Sequence, residues 1–288
     1  MTVAVAIPCY NGDLYIGRCI EAILKQTHSP NQILVVNDGS TDGSESIINQ
    51  YPVRLLRHSR NLGLSSARNT ALAEADTDFI VFVDADAYAS DQMLAVLLKE
   101  FEIGRVDGVG GQGIESIQKT VYDRWRGLHA QQGYGTAPRQ DCPHLFGLCM
   151  AYRCTVLRSV GGFNPLFRTN AEDVDIGYRL VDAGFKLIYT PAATVHHQRR
   201  DDHTSLRKMM YQWYFWGGIA RRKNNRSLSN LVVGTFRRLV LSDTWRDLID
   251  RRDMDLVKLD IELTTVKLRA IRAAAEFDLA KNDLKTNQ

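Results

Sequence analysis

Phe79-Ile80-Val81-Phe82-Val83-Asp84-Ala85-Asp86 decides the fold. Five successive β-branched or aromatic residues read as a short strand covered on both faces, the pattern of strands inside a parallel sheet. Two carboxylates one residue apart then stand at its carboxyl end. Open parallel sheets bind ligands beyond that end of their strands. Paired acidic side chains there suit a hard divalent cation, which in turn holds a diphosphate. Taken alone, the triplet is explained equally well as a polar strand end feeding a helix, because helix starts favour Asp. Its neighbours carry the decision.

Upstream, the chain alternates strand and helix signals. Apolar runs at 3–9, 33–36 and 53–56 precede 79–83, and helical periodicity occupies 14–26, 42–50 and 65–75. Asp42 with Glu45 predicts an N-cap and its capping-box partner. Alternation of this kind predicts an α/β fold, a mostly parallel sheet with helices on both faces. From about 105 the pattern loosens. Strands are expected at 106–114, 145–152, 186–189 and 194–197, with helices at 118–132 and at 172–183, the latter capped by Asn170. Mixed strand pairing is expected in this half.

Beyond residue 198 the chain reads as helical. Leu206, Met209, Met210, Trp213, Trp216 and Ala220 form one stripe. A terminal helix over 244–280 carries a heptad-like seam from Trp245 to Phe277, interrupted only at Arg252. The expected domains are therefore 1–198, divided at about 104/105 where the pattern loosens, and a helical extension over 199–288.

The 288 residues are 44% hydrophobic and 24% charged, ordinary globular composition with room for one large or two modest domains. No apolar run reaches the length of a membrane-spanning helix, and no basic leader precedes the first strand, which argues against a secretory signal. Five cysteines without a CxxC pair fit a reducing, cytoplasmic compartment. Cys142, His144 and Cys149 lack the paired spacing of a zinc site. Gly108-Val109-Gly110-Gly111-Gln112-Gly113 matches a dinucleotide fingerprint by letter, but no helix follows it. Net charge is +3, whereas 199–240 alone carries ten Lys or Arg against two Asp. That contrast predicts an anionic partner, with a solvated basic face as the plain alternative.

The loops after the four N-terminal strands should open on one sheet edge. They read Pro8-Cys9-Tyr10-Asn11-Gly12, Asn37-Asp38-Gly39-Ser40-Thr41-Asp42, Arg60-Asn61-Leu62-Gly63 leading to Ala67-Arg68-Asn69, and Asp84-Ala85-Asp86. A carboxylate only accepts, so Asp38 can pair with the ring N–H of uracil, thymine or guanine. Arg68 can offer charge to a diphosphate. Asp86 can ligate the metal, and Asp84 can reach ribose hydroxyls or metal-bound water.

These motifs, with Gly161-Gly162-Phe163, Glu172-Asp173-Val174-Asp175 and His196, resemble glycosyltransferase family 2 over about residues 1–198. The resemblance implies a Rossmann-like GT-A fold and transfer of a sugar from a nucleotide-sugar to an acceptor hydroxyl with inversion. It implies a nucleotide site at Pro8, Tyr10, Asn11, Asp38, Asn61, Arg68, Asp84 and Ala85, with UDP the first expectation. The metal, Mn2+ or Mg2+, falls to Asp86 and His196, since imidazole suits Mn2+ better. His197 should point the other way on its strand. Inversion by single displacement needs one base; Asp173 is the choice, and Glu172 the alternate.

The implied partners are the donor, a glycan or lipid-linked acceptor, an inner-membrane surface met through 199–240, and a homodimer through 244–280. Three readings fit the Trp213 stripe: packing on its own domain, lying in a bilayer interface, or lining an acceptor channel. Nucleic-acid binding is disfavoured, because the aromatics sit on a helix rather than a strand platform. Competing functions are an inactive nucleotide-sugar-binding or membrane scaffold, and a sugar-phosphate nucleotidyltransferase. The latter wants a Gly-rich, basic first loop, which Pro8–Gly12 is not.

Overall fold

The computed structural model describes residues 1–239 and 243–279; Ala280, the end of the expected terminal helix, lies outside them. Eight strands form one sheet: β1 (Val3–Cys9), β2 (Gln32–Asn37), β3 (Arg54–Arg57), β4 (Phe79–Val83), β5 (Ala87–Ala89), β6 (Gly108–Glu115), β7 (Cys149–Arg153) and β8 (Leu187–His197). Their order is β3-β2-β1-β4-β7-β6-β8-β5. The first four pair in parallel, as does β6 with β8, while β7 runs antiparallel to both its neighbours and β5 to β8. The expected mixed, mostly parallel α/β architecture is the observed one.

Period-two alternation builds two cores. On β1, Val3, Val5 and Ile7 face one layer with helices α1 (Ile16–Leu24) and α4 (Met93–Ile103). Ala4 and Ala6 face the other, with α3 (Leu64–Glu74), α6 (Cys154–Ser159) and α7 (Glu172–Asp182). The short helix α2 (Ser44–Ile48) packs beside α1. All five cysteines are buried in these two layers or at their margins.

Local departures have identifiable causes. Asp42 does accept from Ser44 at the start of α2, but Glu45 turns to Asn37 and Arg57, so no capping box closes. The two expected strands at 186–189 and 194–197 are one strand, β8. Pro191 lacks a ladder donor, and the register shift opposite Gly110 and Gln112 absorbs it. The GxGxxG segment is strand β6. A Cβ at Gly111 would sit 2.5 Å from the Ala193 carbonyl oxygen, so these glycines serve strand packing.

The chain divides into two compact units, 1–116 with 132–198, and 117–131 with 199–288. The segment 117–131, expected within the first domain, belongs with the C-terminal helices. It forms α5 (Val121–His129), whose buried Trp125 donates its indole N–H to Asp260. The second unit also holds α8 (His203–Lys223), α9 (Ser229–Arg237), α10 (Asp243–Ile249) and α11 (Met254–Glu276). The single terminal helix expected over 244–280 is two. Arg252 takes the left-handed conformation (φ 53°) and Asp253 caps α11. The Trp213 stripe packs within this unit: Leu206, Met209 and Met210 join Trp125, Leu259 and Leu263 in one core, with Trp213 against it. No helix among the described residues is long and apolar enough to cross a membrane.

Gly177 of α7 sits where a Cβ would lie 2.4 Å from the His144 Cα. Gly177→Ala is therefore expected to destabilise the protein by about 1–3 kcal/mol; an unchanged denaturation midpoint would contradict this close approach.

Candidate active site

The loops at the carboxyl edge of β1 and β2 are laced together. Asn11 (φ 50°) accepts from the Thr41 amide at 2.8 Å and donates its own amide to Ser40 Oγ. Pro8 lies in the β1 ladder, and Tyr10 leaves half its surface exposed at this edge. Ala85 packs against the first core, opposite Gly12.

Asp38 has a different placement from the one expected. It is buried, and its two oxygens accept from the amides of Leu62 and Gly63, each at 2.8 Å, while His58 Nδ1 lies 2.6 Å away. The carboxylate thus clamps the turn after β3 and is not presented to a nucleobase. Asn61, in that turn, receives Arg168 on its carbonyl.

Arg68 is also turned inward. Its guanidinium is fully buried between Glu172 and Asp84 (2.9 Å), with the Gly147 carbonyl at 3.1 Å. It therefore organises carboxylates instead of reaching a diphosphate directly. Gly147 makes this contact feasible, since a Cβ there would sit 2.9 Å from the guanidinium. The Gly147 amide donates to Asp173 Oδ2 at 2.9 Å, and Val174 donates to Oδ1. Glu172 is buried on Arg68, whereas Asp173 keeps partial exposure. The helix behind them starts under strain. Ala171, not Asn170, is the cap, and it takes a left-handed φ of 67°, a conformation that costs a non-glycine residue about 1 kcal/mol or more.

At the other side of the acidic loop, strand alternation selects the neighbour of the expected histidine. His197 Nε2 lies 3.1 Å from Asp86 Oδ2, and its Nδ1 lies 3.0 Å from Glu115 Oε1. His196 faces oppositely, 3.3 Å from Ser116 Oγ. The imidazole beside Asp86 is thus that of His197. Glu115 is a residue the sequence reading passed over. The parallel pairing of β6 with β8, which sets Glu115 opposite His197, 82 positions on, brings it there.

Burial raises the pKa of Asp84 to about 6 against the pull of Arg68, and burial likewise raises Glu172 and Asp173. For His197, desolvation works downward, but the hydrogen bonds to Asp86 and Glu115 outweigh it and lift the pKa to about 9.

Another converging group lies in the helical unit. His129, Asp247 and Asp260 place one ligand atom each within 4.8 Å of one another. Protein donors already serve this group: Arg251 on Asp247, and Trp125 and Thr244 on Asp260. It reads as a buried ion-pair network.

The family model for glycosyl transferase family 2 matches residues 4–161. The chain belongs to this family. It is 31% identical over 198 residues to a pre-mycofactocin glycosyltransferase of Mycobacterium tuberculosis, a match covering 66% of this chain and 41% of that protein. It therefore spans about two fifths of that relative's length. It is 27% identical to an N-acetylglucosaminyl-diphospho-decaprenol L-rhamnosyltransferase of the same organism, covering 66% and 74%. Among solved structures, the chain resembles a Pyrobaculum calidifontis mannosyltransferase held with GDP-Man and Mn2+ (TM-score 0.56, 20% identity, 99% and 78% covered). It also resembles Staphylococcus aureus TarS with UDP (TM-score 0.55, 16% identity, 96% and 90% covered). At these identities the structures establish the GT-A fold alone.

A histidine whose pKa is raised from 6.5 to about 9 on folding stabilises the protein fully below pH 6.5, and that contribution is lost as pH rises through 9. Without added metal, the protein should lose on the order of 3 kcal/mol across that window. His197→Gln should flatten the decline, as denaturant titrations at several pH values would show; an equal slope in the variant would refute the Asp86–His197–Glu115 arrangement.

Proposed function

We propose that this protein is a metal-dependent, inverting glycosyltransferase that moves a sugar from a nucleoside diphosphate sugar, UDP first among them, to an acceptor hydroxyl in glycan or glycolipid synthesis. One observation carries the reading. The carboxylate of Asp173 is held by the Gly147 amide, partly exposed, next to an Arg68 that unites Glu172 and Asp84. A base in this reaction takes the acceptor proton as the acceptor oxygen bonds to the anomeric carbon. The bond from that carbon to the nucleoside diphosphate oxygen breaks with its electron pair leaving on the diphosphate. Asp173 suits the base: burial raises its affinity for a proton while two amides hold its orientation. Glu172 is committed to Arg68 and serves as a support for that network.

The donor set fits a divalent ion. Two ligands in adjacent positions around an octahedral ion, each about 2.1 Å from it, stand about 3 Å apart; Asp86 Oδ2 and His197 Nε2 are separated by 3.1 Å. Glu115 on Nδ1 fixes the ring so that Nε2 faces the site, the usual support of a ligating imidazole. We therefore assign the metal to Asp86 and His197, in place of His196, with Mn2+ suited to the mixed oxygen and nitrogen set. When bound, the ion supplies positive charge to the departing diphosphate. With Asp38 and Arg68 turned inward, nucleoside contacts fall to Tyr10, Asn11, Pro8, Asn61, Ala85 and Asp84 at the loop edge. A lipid-linked acceptor is supported by the likeness to the decaprenol rhamnosyltransferase. The nucleotidyltransferase alternative loses force because 8–12 contains no Lys or Arg.

Calorimetric titration of UDP, GDP, dTDP and ADP with Mn2+ or EDTA tests the donor site. One metal-dependent binder is expected, and its loss in Asp86→Ala. Asp173→Asn should retain that binding and lose transfer by about 10^2–10^4-fold. Full transfer in Asp173→Asn would remove it as the base, and binding without any metal effect would remove the metal.

A further inference from the structure

Helix α10 is built inside out. Its buried position is Asp247, at 0% exposure, paired with His129 and Arg251. Its apolar residues Trp245, Leu248 and Ile249 occupy i, i+3 and i+4 and are 55%, 37% and 56% exposed. Helices that serve only their own core show the reverse pattern. Large exposed apolar side chains gathered on one helix face mark a contact surface. Helix α9 repeats the theme. Thr235 is its buried residue, while Val233 and Phe236 are 63% and 47% exposed beside exposed Arg237 and Arg238. Both helices pack on α11, within one compact unit.

Charge names the occupant. No Asp or Glu stands between Asp202 and Asp243, a stretch with eight Lys or Arg. Across α10 and the turn after it, Asp243, Asp247, Asp250 and Asp253 outnumber Arg246, Arg251 and Arg252, so the surplus positive charge comes from α9 and its flanks. Exposed Trp and Phe next to arginines is the composition of an element lying in the headgroup zone of an anionic bilayer. We propose that α9 and α10, through Phe236, Val233, Trp245, Leu248 and Ile249, form a peripheral docking face for an anionic lipid surface. The face is distinct from the Trp213 stripe, of which Leu206, Met209, Met210 and Trp213 serve the core of α5, α8 and α11. A second copy of the chain is the competing occupant, but it would bring the like-charged Arg237 and Arg238 against their own images.

The test is co-sedimentation of the full chain with phosphatidylglycerol and with phosphatidylcholine vesicles. Binding to phosphatidylglycerol alone is expected, weakening with salt as surface electrostatics are screened. Trp245→Ser with Ile249→Ser should lower that binding about tenfold or more, given the apolar area withdrawn. Both sites are exposed, so urea denaturation should be unchanged in the variant. Brominated lipid should quench tryptophan emission in the parent chain and do so less in Trp245→Phe. Absence of vesicle binding overturns the proposal, as does binding indifferent to the double substitution. A dimer in sedimentation equilibrium that the double substitution dissociates overturns it in favour of a second copy.

Discussion

A single buried guanidinium organises the candidate site. Arg68 reaches it from α3, Asp84 from the end of β4, Glu172 from the start of α7 and Gly147 from the turn before β7. An uncompensated charge at that depth would cost several kcal/mol, so these elements hold their positions together or not at all. Nε of Arg68 and Oε2 of Glu172 are left without partners among the buried side-chain atoms. The cluster is thus polar, tightly drawn and not fully satisfied, a state that stable cores avoid and functional sites tolerate.

The arrangement divides labour between adjacent acidic residues. Glu172 and Asp173 are neighbours in sequence, yet one is consumed by Arg68 and the other is offered at the edge of the site. Asp84 and Asp86 divide similarly: the first is tied to the guanidinium, the second to an imidazole. In each pair one carboxylate is ion-paired to Arg68 and its neighbour is held by other partners. The left-handed backbone at Ala171 immediately precedes the first of these pairs at the start of α7.

Much of the fold was legible because local signals and packing agreed. The apolar run at 79–83 is a fully buried strand, and Val3, Val5 and Ile7 alternate with Ala4 and Ala6 across β1 as a period of two requires. What escaped depends on long-range geometry. Whether His196 or His197 faces Asp86 is set by the register of β8 against β5 and β6, which no local pattern encodes. Asp38 and Arg68 were readable as polar residues at the right edge, but their inward direction follows from partners 25 and 104 positions away. The break at Arg252 had a trace in the interrupted seam. The assignment of 117–131 to the helical unit had none, because Trp125 meets Asp260 only after the whole unit assembles.

The five thiols carry a practical consequence. Cys9, Cys19, Cys142, Cys149 and Cys154 are all buried, all belong to the sheet-bearing unit, and burial raises every one of their pKa values. The helical unit contains none. An alkylating reagent therefore finds thiolate only when the sheet opens, since reaction needs both access and ionisation. The chain carries a built-in reporter that follows the breathing of one unit and is silent to the other.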